Sequence, residues 1–180
     1  MMKMILALDE ENGLGKDGSI PWPFLKGDMK NFVKETKGTV CIMGRKTFDS
    51  LPKPLSKRIH IVVTKNMEKY TRDVHWDPLN DFISPYGHAF YTDSYARAEY
   101  IARLFFGGFD VSVIGGKSAY EYFSDKADEI LLTRVCGSYN CDVALDMSDI
   151  LEEYKHIGGR SLEDEASKIK YTIDRYSKST

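Results

Sequence analysis

Twice in this chain a short apolar run ends at glycine and turns at once into a segment of helical character. Thr39-Val40-Cys41-Ile42-Met43 passes through Gly44 into Arg45-Lys46-Thr47-Phe48-Asp49-Ser50. Asp110-Val111-Ser112-Val113-Ile114 passes through Gly115-Gly116 into Lys117–Phe123. β-Branched residues favour strands, and a glycine at the joint lets another molecule approach the backbone. Strands that feed directly into helices imply a sheet with helices packed on it.

The other segments fit that plan. Lys3–Leu8 reads as a buried strand, and the Gly/Pro-rich stretch Asp9–Pro23 as a connection. Leu25, Met29, Phe32 and Val33 recur at helical spacing, which predicts a helix from Leu25 to Lys37. Arg58–Thr64 and Phe90–Thr92 read as strands. Ser94 is suited to cap a helix through Ala96, Ala98, Ile101, Ala102 and Leu104, stopped by Gly107-Gly108. Glu129–Val135 is a further strand. Near the end, Ile169, Tyr171 and Ile173 alternate with Lys168, Lys170, Thr172 and Asp174, the pattern of a half-buried antiparallel strand. The expected fold class is α/β, a mixed, mainly parallel sheet with helices on both faces. With 180 residues, 42% of them hydrophobic, and no repeat or linker, a single domain over 1–180 is expected.

Charge excludes some partners. The 25 Lys+Arg against 27 Asp+Glu leave −2, which lacks the footprint of a general nucleic-acid or membrane-surface binder. No apolar run reaches the ~18 residues of a membrane span, and the apolar start is too short for a secretory signal. A cytoplasmic protein is expected. Cys41, Cys136 and Cys141 are too few for a disulfide framework, and the Cys136/Cys141 pair has no second pair to complete a zinc site. His60, His75, His88 and His156 form no ligand spacing and read as structural or surface residues, so no metal is expected. The charge balance and the lack of an obvious exposed apolar helix favour a monomer.

Gly13-Leu14-Gly15-Lys16-Asp17-Gly18 matches G-x-G-x-x-G, but that fingerprint needs a strand directly before it and a helix directly after. Asp9-Glu10-Glu11-Asn12 precedes it and Ser19-Ile20-Pro21-Trp22-Pro23 follows, and two prolines so close together cannot start the helix. It reads as a mobile loop. The joints at Gly44 and Gly115-Gly116 satisfy the mechanism better, since backbone N–H groups at a helix start bind anions. Two of them, one followed by Arg45-Lys46, suit a ligand with two phosphate groups, such as a dinucleotide carrying an additional 2′-phosphate. Thr64-Lys65 adds a hydroxyl and a cation at the end of another strand.

Asp28 lies near the start of the first helix, where a negative charge is favourable in any protein. It shares a face with Phe32 and follows Pro21-Trp22-Pro23 and Leu25, so its carboxylate is expected to be partly desolvated and to seek a multidonor partner.

Ile20-Pro21-Trp22, Asp28 with Phe32, Ile42-Met43-Gly44-Arg45-Lys46-Thr47-Phe48, Pro54-Leu55-Ser56-Lys57-Arg58, Ile114-Gly115-Gly116 with Tyr120, and Leu132-Thr133 together resemble the dihydrofolate reductase family. Order and spacing hold from Ile5 to Thr133, and the terminal alternating strand fits the family's C-terminal antiparallel hairpin.

The resemblance implies hydride transfer from NADPH to C6 of 7,8-dihydrofolate with protonation at N5, and antifolates as competitive ligands. It implies that Asp28 grips the 2-amino group and N3 of the pteridine, that Thr133 supports that carboxylate, and that Trp22 holds a water near it. Ile5, Leu6, Phe32, Leu51, Leu55 and Ile114 would wall the ring and the aminobenzoyl group. Arg58 would pair with the α-carboxylate of the glutamate tail, as a planar guanidinium is suited to do. Asn12–Ser19 resembles the loop that closes over the nicotinamide, with Ile20 against the reacting ring. Ala7, Leu14, Gly15, Gly18, Ser19, Gly44, Arg45, Lys46, Thr47, Thr64, Lys65, Ile114, Gly115, Gly116, Lys117, Ser118, Ala119 and Tyr120 resemble the NADPH site, with a cis Gly115–Gly116 peptide and Tyr120 beside the nicotinamide. Ser56 stands where a second proline is common and Ser118 where a basic residue is.

Two other readings stay open from sequence. One is a reductase of the riboflavin pathway with the same fold; the combination of Trp22, Asp28, Phe32 and Arg58 is not expected there. The other is a nucleotide-binding or structural protein without turnover, which would need neither the acid nor the arginine.

Overall fold

The computed structural model describes residues 1–67 and 89–179, and its contacts divide the chain into two compact units, Thr36–Tyr122 and Met1–Glu35 with Phe123–Thr180. His75 and His88 lie outside the described residues. The sheet class is mixed and mainly parallel, with an antiparallel hairpin at the C-terminal end.

The central unit is built on parallel strands β3 (Val40–Gly44), β4 (Ile59–Val63), β5 (Ala89–Thr92) and β6 (Val111–Val113), in the order β5-β4-β3-β6. Val40, Cys41, Ile42, Met43, Ile61, Val62 and Val113 are fully buried, as expected of strands covered on both faces. α2 (Arg45–Ser50) follows β3, α3 (Tyr95–Phe106) follows β5, and α4 (Lys117–Phe123) follows β6. Because neighbouring strands run parallel, Gly44, Thr64-Lys65 and Ile114-Gly115 all fall at their carboxyl ends, the edge where open α/β sheets bind ligands. Ser94 caps α3, its side chain accepting from the Arg97 N–H.

α3 corrects one expectation. It buries Ala98, Ala102 and Phe106, yet its opposite side exposes Tyr100, Leu104 and Phe105. A described helix therefore does carry an exposed apolar face. The helix is apolar on two sides, so the spacing that revealed the buried face did not reveal the other.

The unit of both chain ends holds β1 (Met2–Asp9), the short β2 (Gly13–Gly15), α1 (Lys26–Thr36, whose last residue falls in the central unit), β7 (Glu129–Val135), β8 (Val143–Ala144), α5 (Ser148–Glu152), β9 (Tyr154–Glu163) and β10 (Lys170–Lys178). β1 runs parallel to β7, β7 antiparallel to β10, and β10 forms a hairpin with β9. Trp22, Leu25, Val135, Tyr171 and Ile173 make a buried cluster joined by Ala7, Tyr139 and Leu162. Tyr139 meets Trp22 edge-on at 5.7 Å.

Candidate active site

Asp28 sits in the first turn of α1, half-buried, and accepts a 2.6 Å hydrogen bond from the Thr133 hydroxyl of β7. Burial pushes its carboxyl above the ordinary carboxylate value, and the Thr133 bond only partly offsets this. No cation enters that balance among the described residues. A desolvated anion with one neutral donor still has acceptor capacity to fill.

The start of α1 is held from outside. Asp164 accepts the Lys26 N–H at 3.2 Å, and the Tyr171 phenol accepts the N–H groups of Gly27 and Asp28. Gly27 must be glycine, because a Cβ there would collide with the Tyr171 hydroxyl. The sequence reading placed Tyr171 on the apolar face of its strand without a role for the hydroxyl, and did not mark Asp164. The available signal was a tyrosine on the buried face of an alternating strand, where its hydroxyl needs a partner.

In the same unit, Ile5 and Leu6 are buried on β1, Phe32 is half-buried one turn beyond Asp28, and Ala7 pairs with Thr133 across β1 and β7. Trp22 is buried in the cluster with Leu25, and Ile20 is 59% exposed. The loop carrying Leu14, Gly15, Gly18 and Ser19 is not the helix-opening turn of a dinucleotide fingerprint. Asp17 and Gly18, with φ of 49° and 78°, form the two central positions of a tight reverse turn, closed by two bonds of 2.9 Å between Lys16 and Ser19. Asp142 ties it down, accepting the Asp17 N–H at 2.8 Å and donating its own N–H to the Gly15 carbonyl.

In the central unit, Arg58 donates from Nε and Nη2 to the buried Thr36 hydroxyl at 3.2 and 2.9 Å, and from Nη1 to the Ser56 carbonyl at 2.6 Å. These bonds fix the plane of the guanidinium. Leu51 and Leu55 are half-buried on the same connection, and the Leu55 N–H donates to Nε2 of the buried His60 at 3.0 Å.

The two glycine joints lie side by side. The Gly44 N–H donates to the Gly115 carbonyl at 2.8 Å, and the Ile114 N–H to the Ile42 carbonyl at 3.0 Å. The Gly115–Gly116 peptide is cis. Gly115 has φ of 129°, a region that favours glycine, and a Cβ there would come within 3.2 Å of the Thr47 hydroxyl and 3.3 Å of the Tyr120 hydroxyl. Only a chain without side chains at these positions leaves a ligand access to both backbone and hydroxyls. The helices that follow are short, six residues for α2 and seven for α4, so little of the anion attraction comes from helix dipoles. Arg45 pairs with Asp49 at 2.8 Å, while Lys46, Lys65, Lys117 and Ser118 are exposed and Thr64, Ala119, Tyr120 and Ile114 are buried. Glycines, hydroxyls and cations at the carboxyl ends of parallel strands fit a phosphorylated dinucleotide.

The comparisons agree in direction. A model of the family described as "Dihydrofolate reductase" matches residues 1–178. The chain is 39% identical over 149 residues to dihydrofolate reductase type 9 of Escherichia coli, covering 82% of this chain and 77% of that protein. It is 28% identical to dihydrofolate reductase of Rattus norvegicus, covering 98% and 97%. The solved structure of dihydrofolate reductase from Enterococcus faecalis complexed with NADP(H) and RAB-propyl has the same fold, with a TM-score of 0.79 at 22% identity over 100% of this chain and 97% of that one. This chain belongs to the dihydrofolate reductase family.

Proposed function

We propose that the protein reduces 7,8-dihydrofolate to 5,6,7,8-tetrahydrofolate with NADPH, supporting one-carbon and thymidylate metabolism in the cytoplasm. The observation that carries this reading is Asp28, half-buried, bonded to Thr133 and, among the described residues, without a cation in its balance. The 2-amino group and N3–H of a pteridine present two parallel donors to such a carboxylate. Thr133 holds one carboxylate oxygen, which fixes the plane in which the ring binds. The raised proton affinity of Asp28 favours a proton near the ring and so assists protonation at N5.

NADPH supplies the hydride delivered to C6, and the chain supplies alignment and exclusion of water. Gly44, Thr47, Gly115, Gly116 and Tyr120 hold the dinucleotide, with Arg45, Lys46 and Lys65 toward its phosphates. Ile5, Leu6 and Phe32 of one unit, and Leu51, Leu55 and Ile114 of the other, are each read as apolar contacts for the substrate, and Arg58, set by Thr36, as the partner of the glutamate α-carboxylate. Trp22 and Ile20 close the reacting end. The chain over 1–180 is read as a single domain. One copy of the chain contains every residue named, consistent with a monomer.

The experiment follows NADPH absorbance with and without dihydrofolate. Oxidation that depends on dihydrofolate supports the assignment, and none sinks it. Asp28→Asn is expected to leave NADPH binding near normal and slow turnover at neutral pH by about a hundredfold or more, the upper part of the range for acid–base catalysis. Arg58→Leu is expected to raise KM for dihydrofolate and spare a tail-less pterin; equal loss with both overturns its role.

A further inference from the structure

Tyr95 opens α3 and was not among the residues expected in the dinucleotide site. Its hydroxyl lies 2.9 Å from the Ser118 hydroxyl, and its ring stacks on Tyr122 with centroids 5.7 Å apart and planes at 30°. Ser118 and Tyr122 are four apart on α4 and so share one face, which holds Tyr95 by ring and hydroxyl together. The Ser94 cap fixes the turn from which Tyr95 projects. The same hydroxyl would stand 3.1 Å from a Cβ on Gly44, so it also borders the other glycine joint. Tyr95 is half-buried, and burial raises its phenol above the ordinary tyrosine value, which keeps it a neutral donor.

We propose that Tyr95 is a positioning residue for the cofactor: it donates to Ser118 and so aims the Ser118 O–H at an oxygen of the dinucleotide's pyrophosphate. A phenol is the more acidic of the two hydroxyls and gives up the hydrogen of their shared bond, which turns the serine hydrogen outward. The pyrophosphate is the acceptor because glycine joints admit the part of a dinucleotide that lies closest to backbone, whereas Arg45 and Lys46 are the cations suited to the 2′-phosphate. A neutral pair of hydroxyls thus serves where a basic residue is common in the family. The inference rests on the reading of Gly44 and Gly115-Gly116 as the dinucleotide seat.

The test titrates NADPH and NADH into ligand-free protein by calorimetry, for wild type, Tyr95→Phe, Ser118→Ala and the double variant. Steady-state kinetics and unfolding midpoints without ligand accompany the titrations. Ser118→Ala and Tyr95→Phe are each expected to weaken both dinucleotides about three- to tenfold, the range of one hydrogen bond. The double variant is expected to bind no more weakly than Ser118→Ala alone, with the kinetic loss read in KM for the dinucleotide and the unfolding midpoint close to that of Ser118→Ala. A merely structural role for Tyr95 predicts losses that add in the double variant, which overturns the proposal. Loss confined to NADPH overturns the assignment to the pyrophosphate. If Ser118→Ala weakens binding and Tyr95→Phe does not, positioning by Tyr95 falls while the seat stands. If neither variant weakens binding and Lys46→Gln also leaves NADPH untouched, the seat itself is wrong.

Discussion

In the last turn of α1, Glu35 meets Lys3 at 3.1 Å and Arg175 at 2.8 Å, and Arg175 continues to Glu129 at 2.7 Å. In the first turn of the same helix, Asp28 meets one threonine hydroxyl. Burial acts on both acids in the same sense. For Glu35 the nearby Lys3 and Arg175 overcome it and hold the carboxyl below its ordinary value, whereas for Asp28 nothing does and the carboxyl stays raised. The helix dipole alone predicts the reverse order, because it favours an anion at the first turn and disfavours one at the last. The order set by desolvation and specific charge partners runs against a dipole contribution of roughly 0.3–1 kcal/mol. A carboxylate that serves the fold brings its counter-charges with it; one that serves a ligand is left short of partners.

Removing the structural acid is expected to cost stability and spare chemistry. Glu35→Gln leaves Lys3 and Arg175 facing a neutral group, and breaking a buried ion pair destabilises by about 3 kcal/mol. Arg175 is partly exposed and retains Glu129, so the loss falls toward or below that figure. Denaturant unfolding checks it, with turnover per folded molecule expected to match wild type. The depressed Glu35 carboxyl contributes stability above its unfolded value of 4.5, lost as pH falls through the folded value. The variant should therefore show a flatter stability curve in acid. A large fall in turnover without unfolding would dissolve the distinction between the two ends of the helix.

The sequence alone separated these acids only in part. The run Leu25, Met29, Phe32, Val33 showed the helix, and Trp22, Leu25 and Phe32 around Asp28 showed its apolar setting. Nothing local marked Glu35, because its partners lie on β1 and β10, far away in sequence. The glycine joints were legible since a strand, a glycine and a helix are contiguous. β9 was not. Of its residues only Tyr154 is buried, Gly158-Gly159 interrupt it, and it has no apolar alternation to read. Asp164, Tyr95 and the hydroxyl role of Tyr171 were missed for the same reason as Glu35. Each acts across strands or helices that only the folded chain brings together.

A finer test acts on the hydrogen bond to Asp28. Thr133→Val removes the donor and keeps the shape, leaving the carboxylate desolvated with no side-chain partner among the described residues. Turnover is expected to fall about tenfold, the worth of one hydrogen bond to a charged group at the low end of its range. The apparent pKa of the kcat/KM profile should move to higher pH, because Thr133 is what lowers Asp28. Glu35→Gln should leave that midpoint in place. If both variants shift it alike, the midpoint belongs to some other group.

The smallest effect is also the one with opposite sign at the two ends of α1. A carboxyl whose folded pKa lies above its unfolded value gives stability that is complete below the unfolded value and lost as pH rises through the folded one. For Asp28 the unfolded value is 3.8, so at any pH above the raised folded value the ligand-free protein carries an ionised group that burial disfavours. Asp28→Asn removes that charge and keeps an oxygen to accept from Thr133. The variant that loses turnover is therefore expected to melt slightly above wild type at pH 7 without ligand. That gain should vanish below pH 3.8, where Asp28 is protonated in both states. Thermal unfolding of the two proteins across this range decides it. A midpoint for Asp28→Asn below wild type at neutral pH would mean that the anion is already compensated within the fold, and the contrast with Glu35 would fail.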